Sequence, residues 1–234
     1  MTYNIIIGRS KSDKEKFGDK GLIYIGKGYV KMGNYTSLSN KLWLDVIRSH
    51  VILIAGKRGS GKSYTIGVLA EELSNLPPEV KKNIAPLIFD TMGIFWTMKY
   101  KNEKDTTLLE EWDLKSKNLP ASVWVPAGYF EEYEKRGIPV DNKFALAVPE
   151  LNIEDWISIF ELKMIEPTSV LMQKVITNLN SKNIVFDLED IINEIKKDKE
   201  SIEDTKKAAV ALFEAAKSWK VFAKKSENPT KITD

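Results

Sequence analysis

The chain has 234 residues, 43% hydrophobic and 29% charged, enough for one large domain or a domain with an appendage. Lys plus Arg total 35 against 33 for Asp plus Glu, a net charge of +2, too balanced to argue for a nucleic acid by itself. There is no cysteine and one histidine, His50, which excludes disulfides and thiolate metal sites and makes a histidine metal cluster implausible.

No apolar run reaches the roughly 18 residues that a membrane span needs, and no membrane partner is expected. The start of the chain, Met1 to Arg9, has no basic region ahead of its short apolar run, so a secretory signal is not expected either. The default expectation is a soluble cytoplasmic protein.

Residues 4–7 are β-prone, and Ser10 to Lys20 reads as an exposed polar loop. Gly21 to Gly33 reads as a hairpin, two β-rich runs around Gly26-Lys27-Gly28. From Leu38 to Arg48 the sequence is mixed, with Leu42, Leu44, Val46 and Ile47 expected to face a core. Residues 1–48 are therefore expected to form a small β-rich cap.

His50-Val51-Ile52-Leu53-Ile54-Ala55 is apolar and β-branched, and reads as a buried strand. It runs into Gly56-Lys57-Arg58-Gly59-Ser60-Gly61-Lys62-Ser63, which fits G-x-x-x-x-G-K-S/T, the phosphate-binding loop. Tyr64 follows, and Ile66, Leu69, Ala70 and Leu73 recur at i, i+3, i+4, i+7, the spacing of an amphipathic helix. Strand, glycine loop and helix together give the motif a mechanism. Glycines let several N–H groups converge, and the helix start adds partial positive charge. Residues 56–64 are thus the candidate nucleotide site, with Lys62 on the β- and γ-phosphates and the Ser63 hydroxyl on Mg²⁺.

Asn75-Leu76-Pro77-Pro78 ends the helical pattern, and Ile84 to Asp90 reads as a second buried strand. Strand, helix, strand at this spacing implies a right-handed parallel crossover. Residues 91–118 carry Met92, Phe95, Trp96, Met98, Tyr100 and Trp112, which need burial against the sheet or another subunit. Ala121 to Pro126 reads as a third strand. Beyond residue 149 the period becomes helical. Asn152 with Asp155, Pro167, Asp187 with Asp190, and Ser201 with Asp204 mark four helix starts between 150 and 222.

Phosphoryl transfer also needs an acid at the end of a second strand to hold Mg²⁺. Asp90 ends an uninterrupted apolar run and is the candidate, catalytic with Lys62 and metal-binding with Ser63. Asp187 follows a similar string but reads as a helix cap. Asp90-Thr91-Met92-Gly93 also fits the D-x-x-G of small GTPases. That reading needs a guanine-selecting N-K-x-D, and Asn142-Lys143-Phe144-Ala145 lacks the aspartate.

Asp90-Thr91-Met92-Gly93-Ile94-Phe95 resembles the D-x-x-G-E-aromatic strand end of the HerA/FtsK superfamily of DNA-pumping ATPases, the HerA branch in particular. Four other stretches resemble archaeal HerA-like ATPases: Arg48 to Ser63, Val125 to Tyr129, Leu151 to Trp156, and Phe186 to Asp190. The resemblance implies ATP and Mg²⁺ as cofactors, a homo-oligomeric ring, a hexamer in the complete protein, and DNA as a partner. Two departures stand out. Ile94 occupies the family's glutamate position, and Asp234 comes where the family continues into a further strand with a second acidic pair and an arginine that reaches a neighbour. The resemblance thus implies the first half of an ATPase domain.

Arg48 and Arg58 are further candidates for phosphate contact. The pairs Lys196-Lys197, Lys206-Lys207 and Lys224-Lys225 read as solvated helix faces rather than a DNA track. The expected fold class is α/β, a P-loop NTPase with a mostly parallel sheet. The expected divisions are a cap at 1–48, a nucleotide-binding core at 49–149 and a helical subdomain at 150–234. The expected function is that of a HerA-like DNA translocase or helicase ATPase. The alternatives are an assembly module that binds ATP without turnover, and a GTPase-type switch.

Overall fold

The computed structural model of the protein describes residues 3–231, without the side chains of 30, 32, 35–37 and 39. In chain order the elements are β1 (Ile5–Ile7), α1 (Lys11–Phe17), β2 (Leu22–Met32), β3 (Tyr35–Asp45), α2 (Lys62–Ser74), α3 (Pro78–Lys81), α4 (Thr106–Glu111), β4 (Trp124–Pro126), α5 (Phe130–Lys135), β5 (Asn142–Phe144), α6 (Ile153–Ile159), α7 (Pro167–Ser181), α8 (Leu188–Lys197) and α9 (Glu203–Ser218). Short 3₁₀ turns stand at Phe95–Lys99, Ala127–Tyr129 and Val148–Glu150. The chain is α/β and divides into two compact units, residues 1–121 and 122–234.

The first unit is built on a three-stranded sheet in the order β1-β3-β2, with β1 parallel and β2 antiparallel to β3. β2 runs straight through Gly26-Lys27-Gly28, where a reversal was expected. Register shifts at Tyr24/Gly26 and Gly28/Tyr29 absorb the glycines as bulges, and the chain reverses instead just after β2, at Gly33, with φ +60°. The polar stretch after Gly8 is also not a loop. Ser10 Oγ accepts the Asp13 N–H at 3.1 Å and starts α1, a cap signal inside a segment whose polarity suggested a loop. Ile23, Leu44 and Leu76 form the buried centre of this unit. Leu69 and Leu73 of α2 pack on it together with Ile25, Val46, Val80 and Ile84.

The two strands expected around the phosphate loop are not formed. Residues 51–55 and 84–90 belong to no sheet, and the backbone N–H groups of 51–55, 85 and 87–90 donate to no acceptor among the described residues. Val51 is fully exposed, Leu53 89%, Leu87 76% and Phe89 84%. Ile54 and Ile88, on the alternate face, are half-buried. A parallel strand is stable only with ladder partners along its edges and cover on both faces. Among the described residues neither segment has a ladder partner. The third expected strand is shorter than its apolar run. β4 pairs in parallel with β5 in the second unit, Trp124 opposite Asn142 and Pro126 opposite Phe144.

The second unit is mainly helical, and the four helices expected between 150 and 222 are present as α6 to α9. Asn152 and Asp155 form a reciprocal capping box at α6, as do Asp187 and Asp190 at α8, and Pro167 is the first residue of α7. Leu188, Ile191, Ile192 and Ile195 give α8 one buried face at i, i+3, i+4, i+7. That face meets Leu171, Met172, Val175 and Leu179 of α7 and Ala209, Phe213 and Ala216 of α9. Trp156 is completely buried, its ring 5.1 Å from Phe213 and 5.3 Å from Phe222. Each such side chain removed from water contributes about 1.5–3 kcal/mol.

The start of α9 differs from expectation. Its N-cap is Ile202, with no side-chain cap from Ser201. Asp198 orders the turn instead. Its Oδ2 accepts the N–H groups of Glu200 and Ser201, and Lys174 of α7 binds its Oδ1 at 2.5 Å. Lys174 and the Ser201 N–H hold the Asp198 carboxyl far below the usual carboxylate range.

Candidate nucleotide site

The chain between Gly56 and Ser63 turns back on itself and enters α2. Gly61 is the N-cap of α2 at φ +88°, a left-handed conformation that costs a Cβ-bearing residue roughly 1–2 kcal/mol. At Gly56 a Cβ would collide with Ser60 Oγ, so a side chain there would force the Ser60 side chain to move. The loop is pinned by the Ser60 N–H donating to Lys57 O at 3.2 Å. The first turn of α2 is closed by Thr65 N–H and Oγ1, both donating to Gly61 O.

The rest of the loop is open. The N–H groups of Gly59, Gly61, Lys62 and Ser63 donate to no protein acceptor among the described residues. They belong to the turn and to the N-terminal end of a 13-residue helix, where unpaired N–H groups and the helix dipole favour an anion. Lys57, Arg58, Gly59, Ser60, Gly61, Ser63 and Tyr64 are exposed, Tyr64 at 65%. Lys62 is folded over the loop, its ammonium 2.8 Å from Lys57 O. One carbonyl therefore serves both Ser60 and Lys62. Nothing in the motif indicated that the loop would occupy its own lysine.

Asp90 lies just before the turn that carries Gly93 and Ile94. Its Oδ2 accepts the Phe95 N–H at 2.7 Å, while Oδ1 is buried and has no hydrogen-bond partner. A buried carboxylate oxygen without a donor is costly, and a cation or a water bound to one would satisfy it. Asp90 thus fits the metal-holding role, and Ser63, exposed at the head of α2, offers a free hydroxyl. No hydrogen bond or ion pair joins Asp90 to the loop among the described residues. Ile94 is 40% exposed and supplies no acid.

The remaining candidates separate clearly. Arg48 is committed to Asp13, with Nη2 2.7 Å and Nε 3.2 Å from Oδ1, and is no part of the loop. Arg58 is exposed and makes no hydrogen bond or ion pair among the described residues. Asp187 caps α8, accepting the N–H groups of Glu189 and Asp190, as its sequence context indicates. Lys197 of α8 and Lys206 of α9 are paired with Glu194 and Glu203 on their own helices, whereas Lys224 and Lys225 lie beyond α9 on no helix, with Lys225 paired to Asp190.

A cluster with no motif of its own stands immediately before the loop. Arg9 and Asp45 are buried and paired at 2.5 Å. His50 Nε2 lies 3.6 Å from Asp45 Oδ2, and its ring closes on Gly8, where there is no room for a Cβ. Arg9 also donates to Gly18 O and Lys20 O. The entry to the phosphate loop is thereby fastened to the first sheet. Spacing alone could not reveal it, because the three residues come from separate segments.

Among the described residues no helix is long and apolar enough to cross a membrane. A search of the curated proteins and of the solved structures returned no match. Residues 25–233 match the family model described as "Helicase HerA, central domain". Nearly the whole chain, with the loop and Asp90 inside the match, therefore belongs to the HerA family and is an ATPase domain of the HerA/FtsK type.

Proposed function

We propose that residues 56–64 bind the phosphates of ATP, and that Ser63 and Asp90 hold the accompanying Mg²⁺. The observation that carries this reading is the set of unpaired N–H groups of Gly59, Gly61, Lys62 and Ser63 at the head of α2. On binding, Lys62 would leave the Lys57 carbonyl for the terminal phosphates. Ser63 Oγ and Asp90 Oδ1 would face the cation, and Tyr64 would border the nucleotide. The bound metal would neutralise charge on the β- and γ-oxygens. The chain's own contribution is to fix the phosphates and keep the loop short and rigid.

The wider reading is a cytoplasmic motor subunit that assembles as a hexameric ring and couples ATP hydrolysis to DNA movement. Its support is the family membership, together with the exposed strand-like segments at 51–55 and 84–90. Bare apolar side chains and open backbone groups on both segments suit a parallel sheet that further strands complete. The divisions at 1–48, 49–149 and 150–234 belong to this reading.

A second reading has a specific observation behind it. Ile94 stands where the resemblance implies a glutamate, so the chain could bind ATP as an assembly signal without turning it over. A single-turnover assay with radiolabelled ATP, with and without duplex DNA, separates the two. DNA-stimulated release of phosphate supports the motor, and binding without release supports the assembly module.

A further inference from the structure

The second unit contains a cavity of about 1030 Å³ that has no part in the phosphate loop. Phe144, Ala145, Leu188 and Phe222 contribute its apolar lining. Lys143, Lys220 and Lys224 line it as well, and none of the three has a carboxylate partner among the described residues. The carboxylates that line it are all engaged. Asp187 caps α8 and also accepts the Lys225 N–H, Glu189 is paired with Lys217 at 2.6 Å, and Glu227 accepts the Lys224 N–H. The lining carries four lysines, Lys143, Lys217, Lys220 and Lys224, against three carboxylates, Asp187, Glu189 and Glu227, a net charge of +1.

Lys220 is the informative member. It follows the C-cap of α9, where helices commonly place a glycine, and holds φ +53°. Its ammonium stands 4.9 Å above the Tyr129 ring. Gly128 is fitted against it, its N–H donating to Lys220 O at 3.1 Å, and a Cβ at 128 would collide with Lys220 Cβ. A strained lysine takes a place where glycine would be unstrained, and it lines a cavity. Such an outlier is a reason to look for function in the side chain.

We infer that this cavity binds a small amphipathic anion, an aromatic or acyl body carrying an acidic group, with the body on the Phe144–Phe222 floor and the anion among Lys143, Lys220 and Lys224. The volume is at the upper end of the range for small-molecule sites, which combine apolar walls with a few polar groups. The site is independent of the phosphate loop.

The test uses 2-naphthalenesulfonate, an aromatic anion without a phosphate, titrated into the ¹⁵N-labelled chain. The expected result is saturable shifts centred on Gly128, Ala145 and Ala223, with 2-naphthol binding at least fivefold more weakly. Lys143→Gln/Lys220→Gly/Lys224→Gln should also bind the sulfonate at least fivefold more weakly. Lys220→Gly relieves the backbone strain, so a folded spectrum is expected. Should the triple variant not fold, Lys143→Gln/Lys224→Gln alone must still weaken the sulfonate. Shifts that are absent or centred elsewhere, equal binding of 2-naphthol, or undiminished binding by the variants would overturn the assignment.

Discussion

Arg9 Nη2 and Asp45 Oδ1 meet at 2.5 Å with both side chains shut off from water, at 1% and 0% exposure. Around this pair the first unit joins β3, α1 and the entry to the phosphate loop. Removing one partner strands the other charge in a dry site. Asp45→Asn should therefore destabilise the first unit by about 3–5 kcal/mol, read as a lowered urea midpoint. A change within about 0.5 kcal/mol would show that the pair is solvated in practice.

The same carboxylate gives a pH dependence. Burial pushes the Asp45 pKa up, but the hydrogen bonds from Arg9 and from the Ile47 N–H outweigh it and the net shift is downward. A lowered folded-state pKa adds stability that is present above the ordinary carboxylate value near 3.9 and is lost as the pH falls through the folded value. Asp190, held down by Lys225 and by the Asp187 N–H against the effect of burial, acts in the same direction in the second unit. Both units should hold their stability from neutral pH to about 5 and lose it below about 4. Chemical denaturation midpoints from pH 7 to pH 3 check this, and stability that rises on acidification would contradict it.

The bare segments at 51–55 and 84–90 make a prediction about protection. With no ladder, the amides of Val51 to Ala55 and Leu87 to Phe89 should exchange with solvent almost as fast as unstructured chain. The amides of α7 and α8 should be the slowest. If the segments gain ladder partners on assembly, their protection should rise by orders of magnitude while that of α8 stays constant. Slow exchange at Leu53 and Phe89 in a chain shown to be monomeric would mean that the segments are already paired.

Ile94 and the open loop predict slow chemistry. In-line attack needs an oriented water and positive charge on the transferring group, and a neighbour's arginine alone can be worth 10³–10⁵ in rate. The chain taken alone should bind ATP and release phosphate far more slowly than one turnover per second. Steady hydrolysis at several turnovers per second would show that another residue supplies the catalytic acid.

What could be read from the sequence follows a physical division. Local signals were legible. The glycine turn into α2, the Asn152 and Asp187 caps, Pro167 and the apolar stripe of α8 each depend on residues within one or two turns of one another. Signals that need a partner were not. His50 to Ala55 has the composition of a buried strand, but a strand exists only when another segment pairs with it, and composition cannot say whether one does. The Gly26-Lys27-Gly28 turn failed for a related reason. Glycines are equally at home in a bulge, and the pairing of β2 with all of β3 decides between the two. At the site, the loop was legible as a motif. The Lys62–Lys57 contact and the unpartnered oxygen of Asp90 depend on the fold, and so was the Arg9–Asp45–His50 cluster.

The most direct test is titration of the chain with a fluorescent ATP analogue in Mg²⁺, repeated with Lys62→Ala and in competition with unlabelled ATP and GTP. Lys62 is half-buried at the loop and contributes to neither core, so the variant should keep its fold. The account predicts saturable binding, better competition by ATP than by GTP, and at least a tenfold loss of affinity in Lys62→Ala, a change of roughly 1.4 kcal/mol or more. Equal affinity of the variant and the unaltered chain would contradict the assignment of residues 56–64 as the phosphate site.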